Sequence, residues 1–456
     1  MIIIKINEMD IFKEELDIFQ DPPYQRQVIR GFVETIPAVS KTTFETVCQF
    51  VIPAENSYYI DTSHIFYKIK GKIMKKDANN LTINLADTDK VAPVNNFAQA
   101  LFDNVTIEMN GTSIQSAALK YAYRTIFETL LNYGEDAKSS VLKCQFYFKD
   151  DPKCLDSILN EDTIANGTVT QRANRGHIQR RNVVKGSKVF EMIAPLSTDL
   201  FHQARYIPSK CSLKIDFTLN KPEFYLMADA SVSHPFMNIE KMELYVRRLT
   251  LNSDVIVGLD AGFSLGNAKF PLKRVEVIRR PISTGTTGET IANLAIGGKV
   301  PSRIVIGMVD NDAATGSYIK NPFNFKHYNI SMVKVTVNND TVFKTINLNI
   351  ANGEFLDAYH SLFTQIDRPM FMSGNYITPE DWANGYGLFA FDLSPDLMSA
   401  NYNNGVIKGT TSLELSFKEA TPNPIDLIAY LEFEDQLEIT SDRKILYTVA
   451  RDNEQK

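Results

Sequence analysis

Cysteine is scarce in this chain of 456 residues, which contains four. Four cysteines are too few for a disulfide scaffold, and no two of them form the Cys-x-x-Cys pair that binds zinc or carries redox chemistry. We therefore expect reduced, mostly buried thiols in a protein that stays inside the cell. The four residues are Cys48, Cys144, Cys154 and Cys211.

Long hydrophobic runs are also missing. No stretch of about 18 consecutive apolar residues is present that could span a membrane. The apolar start Met1–Ile4 is followed by charged residues rather than by an apolar segment of signal-peptide length. The sequence therefore predicts a protein that is made in the cytoplasm or nucleus and is not secreted through a signal peptide.

Motifs that indicate catalysis do not occur in the sequence. It has no Gly-x-x-x-x-Gly-Lys-Ser/Thr loop for phosphate and no Gly-x-Ser-x-Gly nucleophile elbow. A metal enzyme of the cupin type clusters imidazoles on one strand, whereas the six histidines here are scattered. We predict no catalytic, cofactor-binding or metal-binding residues, no cofactor and no enzyme activity, although strands can bring distant residues together into a site. The histidines are His64, His177, His202, His234, His327 and His360.

One basic stretch stands out in a chain whose net charge is −6 at pH 7. The acidic balance argues against a surface that grips nucleic acid throughout. The stretch lies in the polar, irregular region 150–190 and has two interpretations. It is either a loop that contacts an acidic neighbour or nucleic acid, or a solvated loop without such a role. The candidate contact residues are Arg172, Arg175, Arg180, Arg181 and Lys185.

An acidic pattern lies closer to the C-terminal end. The acidic residues Glu432, Glu434, Asp435 and Glu438 alternate with the apolar residues Leu431, Phe433 and Leu437. Alternation with a period of two predicts a strand. We expect its acidic side to face solvent, with a docking surface for a partner as the alternative.

An internal repeat is the most informative feature that is present. The chain exceeds the roughly 250–300 residues at which a single core stops growing, so two or three domains are expected. Three segments recur in the same order, about 200 residues apart, which indicates two copies of one β domain. The pairs are Asn104–Gly111 with Asn329–Asn339, Leu196–Leu200 with Leu393–Leu397, and Ser212–Phe217 with Ser412–Phe417.

Local patterns support this division. Segments such as Phe44–Val51 and Ile65–Ile73 alternate as half-buried strands do. Asn110-Gly111 predicts a type I′ hairpin turn. Helical spacing of apolar residues within 117–131 predicts a helix, and a shorter helical patch at Phe355–Phe363 takes the corresponding place in the second copy.

These patterns predict an all-β fold of two tandem eight-stranded jelly rolls with short helices inserted in connections. The predicted bounds are residues 1–30 for an N-terminal arm, 31–228 for the first jelly roll and 236–450 for the second. The small, polar segment Ala228–Pro235 is the predicted linker. The alternating segment Ile239–Leu249 is expected to open the second jelly roll.

The duplicated unit, the stretch from Asn96-Phe97 to Asn110-Gly111 and the Leu-Ser-x-Asp-Leu repeats resemble the double jelly-roll major capsid proteins. The sequence is most similar in character to the hexon-like proteins of Polintons (Mavericks) and adintoviruses, in the lineage of adenovirus-type double-stranded DNA viruses. The resemblance covers most of residues 30–450. It implies a structural major capsid protein of the virion, whose homotrimers form pseudo-hexagonal capsomers of an icosahedral shell.

The resemblance also implies partners. These are neighbouring capsomers and a penton or minor capsid protein, with the N-terminal arm on the inner face of the shell, while contact with nucleic acid stays open. Two other interpretations were weighed. A duplicated cupin-type enzyme is disfavoured by the scattered histidines, and a β-sandwich carbohydrate-binding or adhesion protein by the missing secretion signal and the few cysteines.

Overall fold

The structure is a computed structural model that describes residues 24–39, 47–114, 120–165, 168–295, 297–338, 341–366, 374–395, 397, 399 and 407–447. Most of the predicted N-terminal arm lies outside these residues. So do the first residues of the predicted strand Phe44–Val51, the start of the predicted helix 117–131 and the end of the predicted second jelly roll after Tyr447.

Strands dominate the described residues. In chain order they are Val28–Pro37 (β1), Val47–Ile52 (β2), Tyr59–Lys76 (β3), Thr82–Asn84 (β4), Val91–Pro93 (β5), Phe102–Met109 (β6), Thr112–Ser113 (β7), Thr163–Ala165 (β8), Thr168–Gln171 (β9), Phe190–Pro195 (β10), Leu213–Leu219 (β11), Leu226–Ala228 (β12), Phe236–Leu251 (β13), Ala268–Ile282 (β14), Gly288–Ile291 (β15), Arg303–Asp310 (β16), Ile330–Val337 (β17), Thr341–Asn347 (β18), Leu388–Asp392 (β19), Thr411–Phe417 (β20), Ile425–Ile439 (β21) and Ile445–Leu446 (β22).

Short helices occupy the connections between strands. The α-helices are Phe97–Ala100 (α1), Tyr121–Asn132 (α2), Glu135–Ser139 (α3), Arg175–Val184 (α4), Pro222–Tyr225 (α5), Ser253–Leu265 (α6), Asn311–Thr315 (α7), Leu356–Thr364 (α8) and Pro379–Ala383 (α9). Single 3₁₀ turns lie at Val141–Gln145, Lys185–Ser187, Asp199–His202 and Ile350–Asn352.

Sixteen of the strands form two jelly rolls with one topology. In the first, a long sheet has the order β1-β13-β3-β10 and a short sheet the order β2-β11-β6-β7. In the second, the long sheet is β14-β21-β16-β19 and the short sheet β15-β20-β17-β18. When the strands of each unit are numbered from one to eight, both units have the orders 1-8-3-6 and 2-7-4-5. The predicted fold class is therefore confirmed.

The repeated sequence segments fall at equivalent places in the two units. Ser212–Phe217 and Ser412–Phe417 belong to β11 and β20, the seventh strands. Asn104–Gly111 and the described part of Asn329–Asn339 overlap the fourth strands, β6 and β17. The repeat therefore reflects duplicated architecture: the same strand, in the same sheet, needs the same alternation of inward apolar and outward polar residues.

The structure corrects the assignment of one strand. The segment Ile239–Leu249, expected to open the second jelly roll, lies in β13, which pairs with β1 and β3 as the eighth strand of the first. Alternation reveals that a strand exists, but its pairing partners are set by long-range contacts that the local sequence does not encode. The link between the two jelly rolls is α6, and the predicted linker Ala228–Pro235 instead joins β12 to β13 within the first.

A second correction concerns the acidic strand β21. Glu432 and Glu434 are 6% exposed each and do not face solvent. Glu434 pairs with Lys273, and a carboxylate oxygen of Glu432 lies 3.6 Å from the guanidinium of Arg303. Their side of the strand is buried because another part of the chain covers the outer face of the second long sheet.

The core of each unit lies between its two sheets. In the first, Tyr67 of the long sheet and Phe102 of the short sheet both contact Phe217, with ring centroids 5.3 Å and 4.9 Å from it. All three side chains are 0% exposed. The predicted hairpin turn is present, with φ of 48° at Asn110 and 78° at Gly111. These positive angles are those that a type I′ turn requires.

Replacing Phe217 by alanine tests the aromatic centre of the first jelly roll. Because the ring is fully buried against two other aromatic rings, we expect the free energy of unfolding to fall by about 3–5 kcal/mol in urea denaturation. The matched control is Val51→Ala on the neighbouring strand β2, where the side chain is 41% exposed, and we expect a loss under about 1 kcal/mol. Equal losses in the two variants would contradict the packing described.

Candidate functional site

Helix α2 lies in the connection between the fifth and sixth strands of the first jelly roll, residues 114–189, called here the first connection. Residues Tyr121–Leu131 of α2 are all buried. A helix that is buried around its whole circumference has neighbours on every side. It packs against α1 and β6 of the first jelly roll and against β14 and β21 of the second. The helix therefore lies between the two jelly rolls.

Aromatic side chains form the apolar part of this contact. The ring of Phe127 lies 5.1 Å from that of Phe325 and 6.4 Å from that of Tyr430, between centroids. The ring of Tyr123 lies 5.9 Å from that of Phe323. Since Tyr430 belongs to β21, α2 covers the outer face of the second long sheet. This contact is what buries Glu432 on the same face.

A buried ionic cluster fixes the helix in place. Arg124, which is 0% exposed, donates from Nε to Glu128 at 2.8 Å and from a terminal nitrogen to Asp199 at 2.6 Å. The same oxygen of Asp199 accepts a hydrogen bond from the backbone N–H of Val275 on β14, at 3.2 Å. Burial raises the pKa of Asp199, and the opposing charge of Arg124 limits that rise. One carboxylate therefore joins the helix to a strand of the other jelly roll.

Neither Arg124 nor Asp199 was among the residues singled out from the sequence. Two signals were available. Arg124 is a charged residue within a helical pattern of apolar residues, four positions before Glu128, and Asp199 is the acidic residue of the repeated Leu-Ser-x-Asp-Leu segment. Both signals indicate a buried polar role only once the neighbouring jelly roll is known.

A second link involves residues further along the first connection. Tyr386 donates from its hydroxyl to the backbone oxygen of Asp150 at 2.7 Å, and Lys149 pairs with Asp381 at 2.7 Å. Asn324 donates to Asp156 at 2.8 Å. Connections of the second jelly roll thus contact the first connection, in addition to the contacts that α2 makes with β14 and β21.

The central part of the basic stretch forms helix α4 and not the predicted loop, while Arg172 precedes the helix and Lys185 follows it. Arg180 is 0% exposed and donates to the backbone oxygens of Pro93 and Phe148 and, at 2.7 Å, to Asp150. Arg181 is 8% exposed and donates to backbone oxygens of Asp87 and Asp89. The interpretation of these two arginines as contact residues is therefore corrected. Their guanidinium donors hold α4 against the segment 87–93 and against Phe148 and Asp150.

The other three candidate residues lie on the surface and are not brought together with the buried pair. Arg172 is exposed. Arg175 is 85% exposed, with a nitrogen 3.9 Å from Asp151, and Lys185 lies 3.7 Å from Asp87. Such exposed ion pairs contribute little to stability. A contact of these three residues with an acidic neighbour or with nucleic acid stays a prediction.

His177 is the buried histidine of α4. Neither of its ring nitrogens has a hydrogen-bond partner among the described residues. Burial lowers the pKa of His177 to about 3, and the charges of Arg180 and Arg181 act in the same direction. The imidazole is therefore neutral in the folded protein at neutral pH. Over the described part of the chain, no group of three or more His, Cys, Asp or Glu side chains could hold a metal ion.

Two surfaces are left open beside these contacts. Helix α6 has no buried residue, and its Val257 and Leu265 are 69% and 92% exposed. A groove of about 660 Å³ borders the first long sheet and is lined by apolar residues that include Phe66, Ile193 and Val141. No helix within the described ranges has the length and apolar character that a membrane crossing requires.

Known proteins resemble this chain in sequence and in fold. No family model matches the sequence. An uncharacterised protein of Caenorhabditis elegans, F54H12.2, is 26% identical over 397 residues, which cover 85% of this chain and 89% of that protein.

Solved structures match over nearly the whole chain. The chain is similar to one from the Sputnik virophage, with a TM-score of 0.62, 11% identity and coverage of 98% of this chain and 95% of that one. It is also similar to the Faustovirus major capsid protein, with a TM-score of 0.58, 12% identity and coverage of 92% of each chain. A chain of the PBCV-1 virus capsid matches with a TM-score of 0.54, 13% identity and coverage of 94% of this chain and 100% of that one. The chain has the fold of viral capsid proteins. At these identities the likeness is one of fold.

In this fold, the contact through α2 joins the two similar lobes. Its parts are a fully buried helix, a buried ionic cluster and a connection held by loops of the second jelly roll. These contacts fix the orientation of one lobe relative to the other, which is a structural role.

Replacing Arg124 by methionine tests the ionic cluster. The change leaves the buried carboxylates of Asp199 and Glu128 without their cationic partner, so we expect the free energy of unfolding to fall by about 3–5 kcal/mol. The matched control is Lys120→Met, which removes an exposed ion pair with Asp103 just before the same helix and should cost under about 1 kcal/mol. The double variant Arg124→Met/Asp199→Leu should recover part of the loss. Similar stability of the two single variants in urea denaturation would argue against the cluster.

A pH dependence follows from His177. In the unfolded chain its pKa is near 6.5, so between pH 6.5 and about 3 the unfolded state binds a proton that the folded state does not. This contribution to stability is complete above pH 6.5 and is lost as the pH falls, by about 2 kcal/mol at pH 5. Urea denaturation at pH 7.5 and at pH 5 measures the fall in the free energy of unfolding between these pH values. We expect this fall to be smaller in His177→Leu by the contribution of the buried imidazole. His202→Leu, at an exposed position, should show the same fall as the parent. Identical pH profiles for parent and His177→Leu would contradict a buried neutral imidazole.

Proposed function

We propose that this chain is a structural major capsid protein, and that three copies form a pseudo-hexagonal capsomer of an icosahedral shell. The observation that carries the proposal is the pair of jelly rolls with identical strand order in one chain. Three copies around a threefold axis present six similar lobes, which is the requirement for a block that packs hexagonally. Contacts of one kind that close into a ring produce such a block.

The internal contact supports the proposal. A capsomer needs its two lobes fixed at one angle, because an error within the chain is repeated at every position of the shell. The buried helix α2 and the cluster of Arg124, Glu128 and Asp199 supply that fixed angle. The similarity of fold to the capsid chains named above supports the same assignment.

The finer assignments rest on the sequence resemblance. The likeness to Polinton and adintovirus hexon-like proteins is carried by the duplicated unit and the short repeated segments. Neighbouring capsomers and a penton or minor capsid protein are the proposed partners, and the N-terminal arm is proposed to lie on the inner face. The proposed location of the protein is the virion capsid.

Measuring the mass of the purified full chain tests the proposal. We expect light scattering to give three times the chain mass of 51.5 kDa, and electron microscopy of the same fraction to show hexagonal particles. The reason is that three copies of a chain with two similar jelly rolls supply the six lobes that hexagonal packing requires. A monomer at micromolar concentration, without hexagonal particles, would contradict the proposed capsomer.

A further inference from the structure

The two long sheets have the same strand order, but the chain covers the outer face of the second more completely than that of the first. Every described residue of β16 and β19 is buried, and so is the part of β21 that pairs with β16. In the first long sheet, β10 alternates. Its Phe190, Met192 and Ala194 are buried, while Glu191 and Ile193 are exposed. The outer face of the first long sheet is therefore partly open at β10 in the single chain.

The strand registers identify which positions correspond in the two sheets. The repeated segments at Leu196 and Leu393 follow β10 and β19 directly, which makes Ile193 the counterpart of Ala390. The pairing of these residues with their neighbouring strands extends the correspondence across each sheet. The corresponding pairs are Phe66 and Arg303, Lys68 and Val305, Ile193 and Ala390, Glu243 and Tyr430, and Tyr245 and Glu432.

These positions meet different surroundings in the two sheets. In the second, Arg303, Val305, Tyr430 and Glu432 line one small cavity together with residues of α2, among them Phe127. In the first, the corresponding residues form what we call the open face: Phe66, Lys68, Ile193, Glu243 and Tyr245. Phe66 is 36% exposed and Ile193 is 42% exposed. The open face thus occupies the position at which the second jelly roll receives a helix.

An apolar hollow borders the open face. The groove of about 660 Å³ runs beside Phe66 and Ile193 and is also lined by Pro195, Val141 and Cys144. Val141 is 61% exposed. A concave surface with exposed apolar side chains and a charged surround is typical of a protein contact site.

Helix α8 corresponds to α2 in the second jelly roll. It lies between the fifth and sixth strands, β18 and β19, as α2 lies between β7 and β10. Its inner side is buried through Ala358, Ser361 and Leu362. Leu356 is 60% exposed and Asp357 is exposed as well. In contrast to α2, this helix therefore turns one side to solvent.

We infer that the open face binds the α8 side of the second jelly roll of another copy of this chain. The contact would repeat between copies the arrangement that α2 makes within one copy. A second copy is the occupant because the same topology places an equivalent helix at the matching position, and because three such contacts close a ring. Asp357 is exposed on α8 and Lys70 is exposed on β3 beside the open face, so the two surfaces carry opposite charges at these positions. This inference rests on the proposed capsomer and names its interface.

Cross-linking between copies tests the contact. In a Cys144→Ser background, one chain carries Ile193→Cys and a second, differently tagged chain carries Leu356→Cys. We expect a short bismaleimide to join the two chains in the assembled fraction, and the double variant in one chain to give covalent trimers on denaturing gels. The matched control pairs Ile193→Cys with Leu265→Cys on α6, where the side chain is 92% exposed, and we expect no cross-linked trimer.

Charge substitution provides a second test that does not depend on cross-linking geometry. Phe66→Asp/Ile193→Asp alters exposed positions, so the monomer should keep the parent's circular dichroism, while association weakens at least about tenfold by light scattering. Val257→Asp/Leu265→Asp on α6 should leave association unchanged. Trimers that persist in Phe66→Asp/Ile193→Asp, with no cross-link from Leu356→Cys, would overturn this interface and leave the proposed capsomer standing. A parent chain that is monomeric would overturn both.

Discussion

The burial of α2 between the two jelly rolls is the interaction on which the arrangement of the molecule depends. Each jelly roll closes its own core between its two sheets and does not need the other for that purpose. The outer face of the second long sheet is different, because Tyr430, Val305 and their neighbours would be exposed without the helix. Covering this face removes apolar surface from water, and that gain is what joins the two units.

The charges in this contact restrict the relative orientation of the two jelly rolls, which apolar attraction alone does not do. Apolar surfaces tolerate sliding, since their attraction depends on area rather than on angle. The pairing of Arg124 with Asp199, and of Asp199 with the N–H of Val275, is satisfied at one relative position of the helix and β14. A buried ion pair of this kind contributes little net stability, yet a misplaced arrangement would leave charges without partners. The cluster therefore favours a single angle between the lobes.

Sequence patterns predicted the local features of this fold and missed those that depend on distant packing. The alternation in Ile65–Ile73, the turn at Asn110-Gly111 and the helical spacing in α2 are set by neighbours within a few residues. The pairing of β13 with β1 and β3, by contrast, depends on distant residues. The partners on β3 lie more than 160 positions earlier in the chain. The burial of Glu432, Arg180 and Arg181 likewise depends on which segments lie against them. A strand or a basic helix looks the same in sequence whether its charged side meets water or another part of the protein.

The different residues at corresponding positions of the two long sheets are explained by when each surface is covered. The contact of α2 with Tyr430 and Val305 forms within one chain and needs no second molecule, so that face can be almost entirely buried. The open face, by contrast, is in contact with water in the single chain. Its Phe66 and Ile193 lie beside Lys68, which pairs with Glu191 at 2.8 Å, and such interleaving limits the apolar surface that a free chain presents. The contact within the chain and the contact inferred between chains would therefore require two different compositions.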